Sequence, residues 1–582
     1  MQSSSAVSGN TATWNGQDGI YTIGNNAIVT PDNTIHDNSR YGLYVIGDNI
    51  NLNGFNIYNN VQDGIYAPGH NVNITGSTLT DNGGNGISLT GNWAYIVGNT
   101  IINKGNIGIS VIGAWVFVSN NIISNSIADG ISVLGDNAVV TWNTVTNSKK
   151  DGISVNGNYA SVSNNTVSGN NEDGIVVNGY AATIMSNYVT SQIQGNGITV
   201  IGNNSWISQN IAEYNGNNGI FINGNHATVY ENTVNNNGSP VHSILNIPQF
   251  VKDQNAENVA YWVNYYNGLI DDCFTQLSNQ TWVGEYISDF VAYFSSLASE
   301  FAASSEMEDY YSVLNSLYGG GVESKLLSLG GHGNGIEVSG DFVSISNTHA
   351  NNNEGYGIFV TGDDTNIENN PQITGNGGGI AIIGTNTHLR SSTANENEWV
   401  GIYVNSDRSE YYRQSFIDDC TTENNGIGIV ASGVIYVAHC HANHNKLDGI
   451  LAIGELSAGG DPLSLAISEL SNGLYSNEVN DNGGNGIYSY GNNAMALNYG
   501  DGNALVGIMV CGNPFILAPP NSVTGYYGIQ FPLTFQLIQI ATYADSTYAI
   551  ETGAIKLNGL IDCIGDRTAE YLSTLQSYIP NP

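Results

Sequence analysis

The sequence predicts an all-β fold built from stacked turns of a parallel solenoid. The first observation is a repeat, in which a Gly followed by Ile or Leu returns every 22 or 23 residues, at Gly19, Gly42, Gly64, Gly86, Gly108, Gly130, Gly152, Gly174, Gly197 and Gly219. A fixed period of this length is typical of solenoids. The second observation is that each unit contains three short alternating runs separated by Gly and Asn, which indicates three strands joined by bends.

Aligning the units predicts which side chains each strand buries. The residue after the repeating Gly, such as Ile153, is aliphatic in every unit, and the residue two positions later, such as Val155, is aliphatic in nearly all of them. A period of two places both columns on the same face of a strand. Stacked turns would therefore bury continuous ladders of aliphatic side chains.

Two further columns predict the bends. A second Gly follows the first by five residues, as Gly91 follows Gly86, which indicates a corner with positive φ or crowded backbone. An Asn column comes later in the unit, at Asn33, Asn56, Asn99, Asn121, Asn143, Asn165, Asn187, Asn210 and Asn232. Stacked Asn amides can hydrogen-bond from turn to turn, and Asn tolerates the left-handed conformation that such bends require.

With these columns, the repeat resembles the right-handed parallel β-helix superfamily, which includes pectate lyases, polygalacturonases, alginate epimerases, phage tailspikes and NosD-like proteins. The resemblance covers most of the chain except two segments with helical patterns, residues 239–330 and 533–582. It implies a right-handed, single-stranded parallel β-helix, and right-handed crossovers are the rule between parallel strands. It is much less specific for function, because the repeated residues are those that build the turns.

The chain divides into four predicted segments. Residues 1–238 and 331–532 contain β-helix turns, about 18 in total, and the repeat resumes at Gly335 after the interruption. Residues 239–330 form a helical insertion, with helices expected near 253–277, 282–303 and 306–318, because their apolar residues follow helical spacing. Residues 533–582 form a helical tail, which shares the sequence Asn-Gly-Leu-Ile-Asp with the insertion and is expected to cap the last turn.

Charge and composition restrict the partners and the location. Lys and Arg total 12 against 49 Asp and Glu, and the resulting net charge of −37 argues against nucleic acid and anionic membrane surfaces. No apolar run approaches the roughly 20 residues that span a bilayer, and the first residues do not resemble a secretory signal. The scarcity of Lys, together with abundant Asn, Ser, Thr and Gly, predicts an extracellular or cell-surface location, with a virion as the alternative.

The first candidate site is a column of carboxylates. Asp129, Asp151 and Asp173 precede the repeating Gly in three successive units, so their side chains should lie about 5 Å apart. Carboxylates this close raise each other's pKa values, recruit a cation such as Ca²⁺ or take part in acid–base chemistry. The alternative is a solvated bend, because Asn occupies the same column in other units.

The second candidate site lies between residues 401 and 449. It contains Arg408, Arg413, Asp418 and Asp419, followed by the run His439-Cys-His441-Ala-Asn-His444. His439 and His441 alternate along the chain and should point in the same direction. Such a cluster would bind a metal, or bind a uronate and move protons; the alternative is that His replaces Asn in a ladder.

Three functions fit this sequence. The first is an extracellular or surface structural protein of the matrix, sheath, filament or surface-layer type, which self-associates and faces glycan; regular turns and missing catalytic motifs favour it over an enzyme. The second is a lyase, hydrolase or epimerase that acts on an acidic polysaccharide at residues 401–449. The third is a receptor binder of the phage tailspike type. Five Cys residues leave at least one thiol unpaired within the chain, and Cys420 and Cys440 should stack.

Overall fold

The computed structural model confirms an all-β, right-handed parallel β-solenoid. It describes residues 6–102, 105–238, 333–406, 415–433, 435–453, 472–483, 485–490, 493–496, 498–500, 502–503, 508–511, 515–516, 522–523 and 529–530. These residues form about 16 turns, close to the 18 predicted, and the turns after Gly449 are only partly described. The predicted helical insertion (239–330) and helical tail (533–582) lie outside the described residues. Among the described residues, no helix has the length and hydrophobicity needed to span a membrane.

The chain forms two compact units. Unit 1 comprises Met1–Ser239 and Gly330–Glu398, and unit 2 comprises Pro240–Leu329 and Trp399–Pro582. In both units each turn contributes up to three strands, and strands at the same position in successive turns pair in parallel to form face 1, face 2 and face 3. Face 1 begins at the repeating Gly-Ile position.

The strands of unit 1 are short and evenly spaced. Those of face 1 are Ile20–Ile23, Leu43–Ile46, Ile65–Pro68, Ile87–Thr90, Ile109–Ile112, Ile131–Leu134, Ile153–Asn156, Ile175–Asn178, Ile198–Ile201, Ile220–Asn223, Ile336–Ser339, Tyr356–Thr361 and Gly378–Ile383. Those of face 2 are Ala6–Val7, Ile28–Val29, Asn51–Asn53, Asn73–Thr75, Tyr95–Val97, Phe117–Ser119, Val139–Thr141, Ser161–Ser163, Thr183–Met185, Trp206–Ser208, Thr228–Tyr230, Ser344–Ser346, Asn366–Glu368 and His388–Arg390. Those of face 3 are Thr11–Thr13, Thr34–His36, Asn56–Tyr58, Thr78–Thr80, Thr100–Ile102, Ile122–Ser124, Thr144–Thr146, Thr166–Ser168, Tyr188–Thr190, Ile211–Glu213, Thr233–Asn235, His349–Asn351, Gln372–Thr374 and Ala394–Asn395.

Unit 2 has the same three faces with less regular turns. Its face 1 contains Val400–Ser406, Ile427–Gly433, Ile450–Ile453, Ile487–Tyr490, Ile508–Cys511 and Ile529–Gln530. Its face 2 contains Ser415–Asp418, Ile435–Ala438, Asn472–Tyr475, Asn493–Ala496 and Phe515–Ile516. Its face 3 contains Thr421–Glu423, His441–Asn443, Tyr499–Gly500 and Ser522–Val523.

The aliphatic columns form the core, as predicted. Ile153 pairs with Ile175, and Val155 with Val177, so identical positions of successive turns stack in register. Ile153 and Val155 are both buried, and Ser154 between them points outward. The register also continues across the interruption in unit 1, because Ile220 pairs directly with Ile336. The turns therefore resume where the Gly repeat predicts.

The corner glycines are required by close backbone contact. Gly91 has a φ of 150°, and a Cβ atom at this position would lie 2.1 Å from the carbonyl oxygen of Gly69 in the preceding turn. No side chain fits such a gap. This confirms the predicted crowded corner between face 1 and face 2.

The Asn column is a buried hydrogen-bonded ladder. The backbone N–H and the Nδ2 atom of Asn143 both donate to Oδ1 of Asn165, at 2.9 and 3.0 Å. Nδ2 of Asn143 also donates to the carbonyl oxygen of Val118 in the preceding turn (2.9 Å). Each ladder amide therefore satisfies backbone groups that the bend leaves without strand partners.

Two details of the predicted Asn column are wrong. Phe55, not Asn56, occupies the buried position in its turn, and Asn56 is exposed. The left-handed conformation belongs to the residue before the ladder Asn, such as Asn120 (φ 54°) or Trp142 (φ 58°). A second ladder, not predicted, follows face 3, where Nδ2 of Asn38 donates to Oδ1 of Asn60 (2.8 Å).

We expect a charge in the aliphatic ladder to destabilise unit 1 strongly. Ile153 and Val155 are 0% and 1% exposed, so Ile153→Asp or Val155→Asp would bury a carboxylate without a partner and lower the free energy of unfolding by about 3–5 kcal/mol. Chemical denaturation measures the change. Asn156→Asp, at an exposed position of the same strand, is the control and should change stability little; near-wild-type stability of either core variant would contradict the assigned register.

Candidate functional site

The three predicted carboxylates lie together in unit 1, at the corner that precedes face 1. Asp129, Asp151 and Asp173 occupy the same position in successive turns and are half-buried. Oδ1 of Asp151 accepts the backbone N–H of Asp173 (3.0 Å), and Oδ1 of Asp173 accepts the backbone N–H of Asn196 (2.6 Å). In other turns Asn performs the same role, since Oδ1 of Asn85 accepts the backbone N–H of Ile107 (2.9 Å).

Burial and repulsion perturb these carboxyl groups. Burial, followed by the charges of Asp129 and Asp173, raises the pKa of Asp151 to about 7. Burial also raises the pKa of Asp129, although a hydrogen bond from Asp151 and the charge of Lys150 oppose this change. The middle carboxyl group therefore carries a proton over much of the acidic range, when an ordinary Asp would be ionised.

Whether this column binds a cation stays a prediction. Within the described residues, no group of three or more His, Cys, Asp or Glu side chains is arranged to hold a metal ion. Two Asp oxygens already accept backbone N–H groups of the next turn. The column thus has a structural role in unit 1 that does not depend on an ion.

The second predicted cluster lies in unit 2, at the edge between face 2 and face 3. Asp418 ends a face 2 strand and Asp419 occupies the bend. His439 and His441 lie in the next turn, on either side of the buried Cys440, and both are exposed. Both side chains therefore lie on the outside of the turn. Arg408 and Arg413 lie outside the described residues.

Three exposed histidines each pair with a carboxylate from an adjacent turn. Nδ1 of His439 lies 2.9 Å from Oδ1 of Asp418, and Nδ1 of His441 lies 3.0 Å from Oε2 of Glu478. Nε2 of His444 lies 3.5 Å from Oδ2 of Asp481. The paired side chains are all at least 36% exposed. Because water screens such pairs, each contributes at most about 1 kcal/mol to stability.

His441 also belongs to a row that crosses the outside of face 3. It pairs in register with Thr421 of the preceding turn and with Glu478 of the following turn, and Glu478 pairs with Tyr499. We call these four residues, together with the other two His–carboxylate pairs, the histidine surface. It combines carboxylates, imidazoles, a hydroxyl group and an aromatic ring over four successive turns of unit 2.

The histidine surface has two chemical capabilities. Imidazole–carboxylate pairs hold the ring in a fixed orientation and can accept or donate protons. The same groups, with the hydroxyl of Thr421, supply hydrogen-bond donors and acceptors to a polar ligand. Glu478 and Asp481 were not identified from the sequence, because the strand pairing joins His441 to a residue 37 positions later and the regular period gives no signal for this.

We expect Asp151 to make the stability of the protein depend on pH. Its pKa is about 7 in the folded chain and near 3.8 in the unfolded chain, so the folded state binds more protons between these values. The free energy of unfolding should therefore fall as the pH rises from about 4 to about 7, by on the order of 1–2 kcal/mol after allowing for solvent screening. Denaturation at both pH values measures it. Asp151→Asn should reduce this dependence and the exposed Asp136→Asn should not; identical profiles would contradict the assignment.

The predicted cation provides a separate experiment. If Asp129, Asp151 and Asp173 bind Ca²⁺, about 5 mM calcium should raise the melting temperature at pH 8, because a ligand that binds only the folded state stabilises it. The triple Asn variant retains the hydrogen-bonding role and should lose this response. Wild-type melting curves that coincide with calcium and with chelator would leave only the structural role.

Known proteins match the fold of this chain. Solved structures that it resembles include the A-module of mannuronan C-5 epimerase AlgE4 from Azotobacter vinelandii (10% identity, 79% of this chain, 91% of that chain, TM-score 0.27). They also include the catalytic unit of a GH87 α-1,3-glucanase from Streptomyces thermodiastaticus (11% identity, 84% of this chain, 63% of that chain, TM-score 0.21). Similarity at this level carries no information about substrate or residue roles. No curated protein sequence matches the chain.

The family comparison covers more of the chain. A model described as "Right handed beta helix region" matches residues 1–114, 107–255 and 322–460. These ranges include most of the described turns of unit 1 and the first turns of unit 2, and they exceed half of the sequence. The chain therefore belongs to the right-handed β-helix family.

Proposed function

We propose that this protein is an extracellular or cell-surface structural β-solenoid, which self-associates and contacts glycan through the histidine surface of unit 2. The observation that carries the glycan contact is the row formed by Thr421, His441, Glu478 and Tyr499. Sugar hydroxyl groups both donate and accept hydrogen bonds, and this row offers partners of both kinds. An exposed Tyr ring adds an apolar surface for the C–H face of a sugar.

The spacing and charge of the surface favour a particular class of glycan. Neighbouring turns lie about 4.8 Å apart, which is comparable to the length of one sugar unit, so a chain that crosses the turns meets similar groups repeatedly. The surface carries the acids Asp418, Glu478 and Asp481, in a protein whose net charge is −37. A polyanion would be repelled, and a neutral polysaccharide is therefore the better ligand.

Affinity electrophoresis in gels that contain a neutral or an acidic polysaccharide tests this function. The wild-type protein should be retarded by a neutral polymer, and His441→Ala combined with Glu478→Gln should weaken binding by about tenfold, the effect of losing about 1.4 kcal/mol. His36→Ala removes a similar His–carboxylate pair in unit 1 and should leave retardation unchanged. Equal retardation of wild type and the double variant would contradict the proposal.

A second candidate function is the processing of polysaccharide, and the His–carboxylate pairs are the observation that favours it. Asp418 with His439, and Glu478 with His441, are the kind of groups that transfer protons in lyases, hydrolases and epimerases. An assay for new reducing ends and unsaturated products on neutral and acidic glycans separates the two functions. Product that forms with wild type and not with His439→Ala or His441→Ala would favour the enzyme over the binding protein.

A further inference from the structure

A group of exposed apolar side chains covers one corner of unit 1. Trp93 and Trp115 lie at the corner between face 1 and face 2 in successive turns, and are 57% and 56% exposed. Tyr95 and Phe117 lie beside them on face 2, stacked with ring centroids 5.1 Å apart and planes inclined by 11°. Ile112 and Leu134, on face 1, are 51% and 50% exposed and pair in register. We call these six residues the aromatic corner.

The two Trp residues occupy a position that does not suit them. Each has a φ of 60°, in the left-handed region, where bulky side chains are uncommon. Asn71 and Asn137 occupy the same position in neighbouring turns with φ values of 54° and 58°, and Asn adopts this conformation at lower cost. Folding alone therefore favours Asn here. Strained residues with exposed apolar side chains indicate a selected function rather than a requirement of the turn.

The aromatic corner also lies in a part of unit 1 that carries little charge. Between Gly86 and Leu134 the sequence contains only two charged residues, Lys104 and Asp129. Asp129 belongs to the corner that precedes face 1, as do Lys150 and Asp151, which follow in later turns. Asp136, one turn on at the same corner, is the exception: its carbonyl oxygen accepts the backbone N–H of Trp115 (2.9 Å), and its Oδ1 accepts the backbone N–H of Asn158 (2.8 Å). Apart from Asp136, the charged side chains described in these turns thus lie at a different corner from the aromatic surface.

From these observations we infer that the aromatic corner is the surface through which two copies of this chain associate side by side. Copies that each carry a net charge of −37 repel one another, and a surface with little charge is where they can approach. Soluble monomers rarely expose contiguous apolar patches, and Trp and Tyr are enriched at protein interfaces. Exposed Ile112 and Leu134 favour a protein partner over a sugar, which gains little from aliphatic side chains. The inference rests on the self-association in the proposed function and identifies the aromatic corner as the contact surface.

A two-fold arrangement would place the aromatic corner of one copy against that of the other. Such a contact pairs the same patch on both copies and closes as a dimer. Because the opposing force is repulsion between charges outside the patch, salt should strengthen the dimer. Raising the ionic strength from about 0.1 M to about 1 M shortens the screening length from about 10 Å to about 3 Å. An interface made of ion pairs would respond in the opposite direction.

Sedimentation velocity of the full chain across this salt range provides the test, with Trp93→Asn combined with Trp115→Asn as the variant. Asn is the residue that neighbouring turns use at this position, so the variant should fold and melt no lower than wild type. We expect the wild type to dimerise more tightly as salt rises, and the variant to dimerise at least about tenfold more weakly. Trp142→Asn is the matched control, because Trp142 is also left-handed and 61% exposed but lies at a different corner.

The outcomes separate this inference from the proposed function. A double variant that dimerises like the wild type overturns the inference and leaves self-association through another surface. Weakening by Trp142→Asn to the same extent also overturns it, since the effect would then belong to any exposed Trp. A wild type that stays monomeric at every salt concentration overturns both the inference and the self-association. Retardation of that monomer by neutral polysaccharide, lost in the double variant, would assign the aromatic corner to glycan instead.

Discussion

The buried ladder of side-chain amides is the interaction on which the turns depend. At each bend the backbone leaves the sheet and its polar groups lose their strand partners, yet they remain buried. In unit 1 the Asn residues of successive turns satisfy them: Asn165 donates from Nδ2 to the carbonyl oxygen of Val140 and to Oδ1 of Asn187, at 2.9 and 3.0 Å. An unpaired buried amide or carbonyl costs about 1–3 kcal/mol. The ladder therefore requires a suitable side chain at one position per turn, and this requirement keeps the period close to 22 residues.

Some turns have a residue other than Asn at the ladder position, and the hydrogen bonds there change accordingly. In unit 2 the corresponding position holds Cys420 and Cys440, which are buried and not disulfide-bonded, followed by Asn477. The backbone N–H of Cys440 still donates to Oδ1 of Asn477 (3.0 Å), and its Sγ contacts the carbonyl oxygen of Ala438 (3.2 Å). Burial raises the pKa of the Cys440 thiol well above its usual range. The Cys440 thiol therefore stays protonated and acts as part of the core, and His439 and His441 on either side of it point outward.

The sequence was sufficient for the fold and only partly sufficient for the sites. The aliphatic columns recur in nearly every turn, so their register could be read directly, and Ile153 and Val155 are buried as predicted. Phe55 was missed because a large apolar residue can replace an Asn of the ladder when the next turn supplies a hydroxyl group, here Ser77, to its backbone N–H (3.1 Å). Glu478 was missed because the turn between it and His441 is longer than the repeat.

The aromatic corner was missed for a different reason. A sequence repeat reveals what is common to all turns, whereas Trp93 and Trp115 stand at a position where Asn is the commonest residue in the other turns. Only φ values and exposure distinguish these side chains from ordinary apolar residues of a strand. In a solenoid the inward positions are thus predictable from the repeat, and the outward positions that depart from it require the structure.

The Asp column shows how the same hydrogen-bonding role can have different consequences. Asn85 and Asp151 both accept a backbone N–H from the following turn, so folding requires only an oxygen at this position and Asn supplies it without charge. Three successive carboxylates instead place like charges about 5 Å apart, and the pKa of Asp151 rises to about 7 as a result of burial and this repulsion. The three carboxylates weaken the folded state near neutral pH, although Asn would accept the same hydrogen bond without charge. The hydrogen-bonding role alone therefore does not explain why Asp occupies these three positions. A proton bound at acidic pH, or the cation predicted from the sequence, would remove this repulsion.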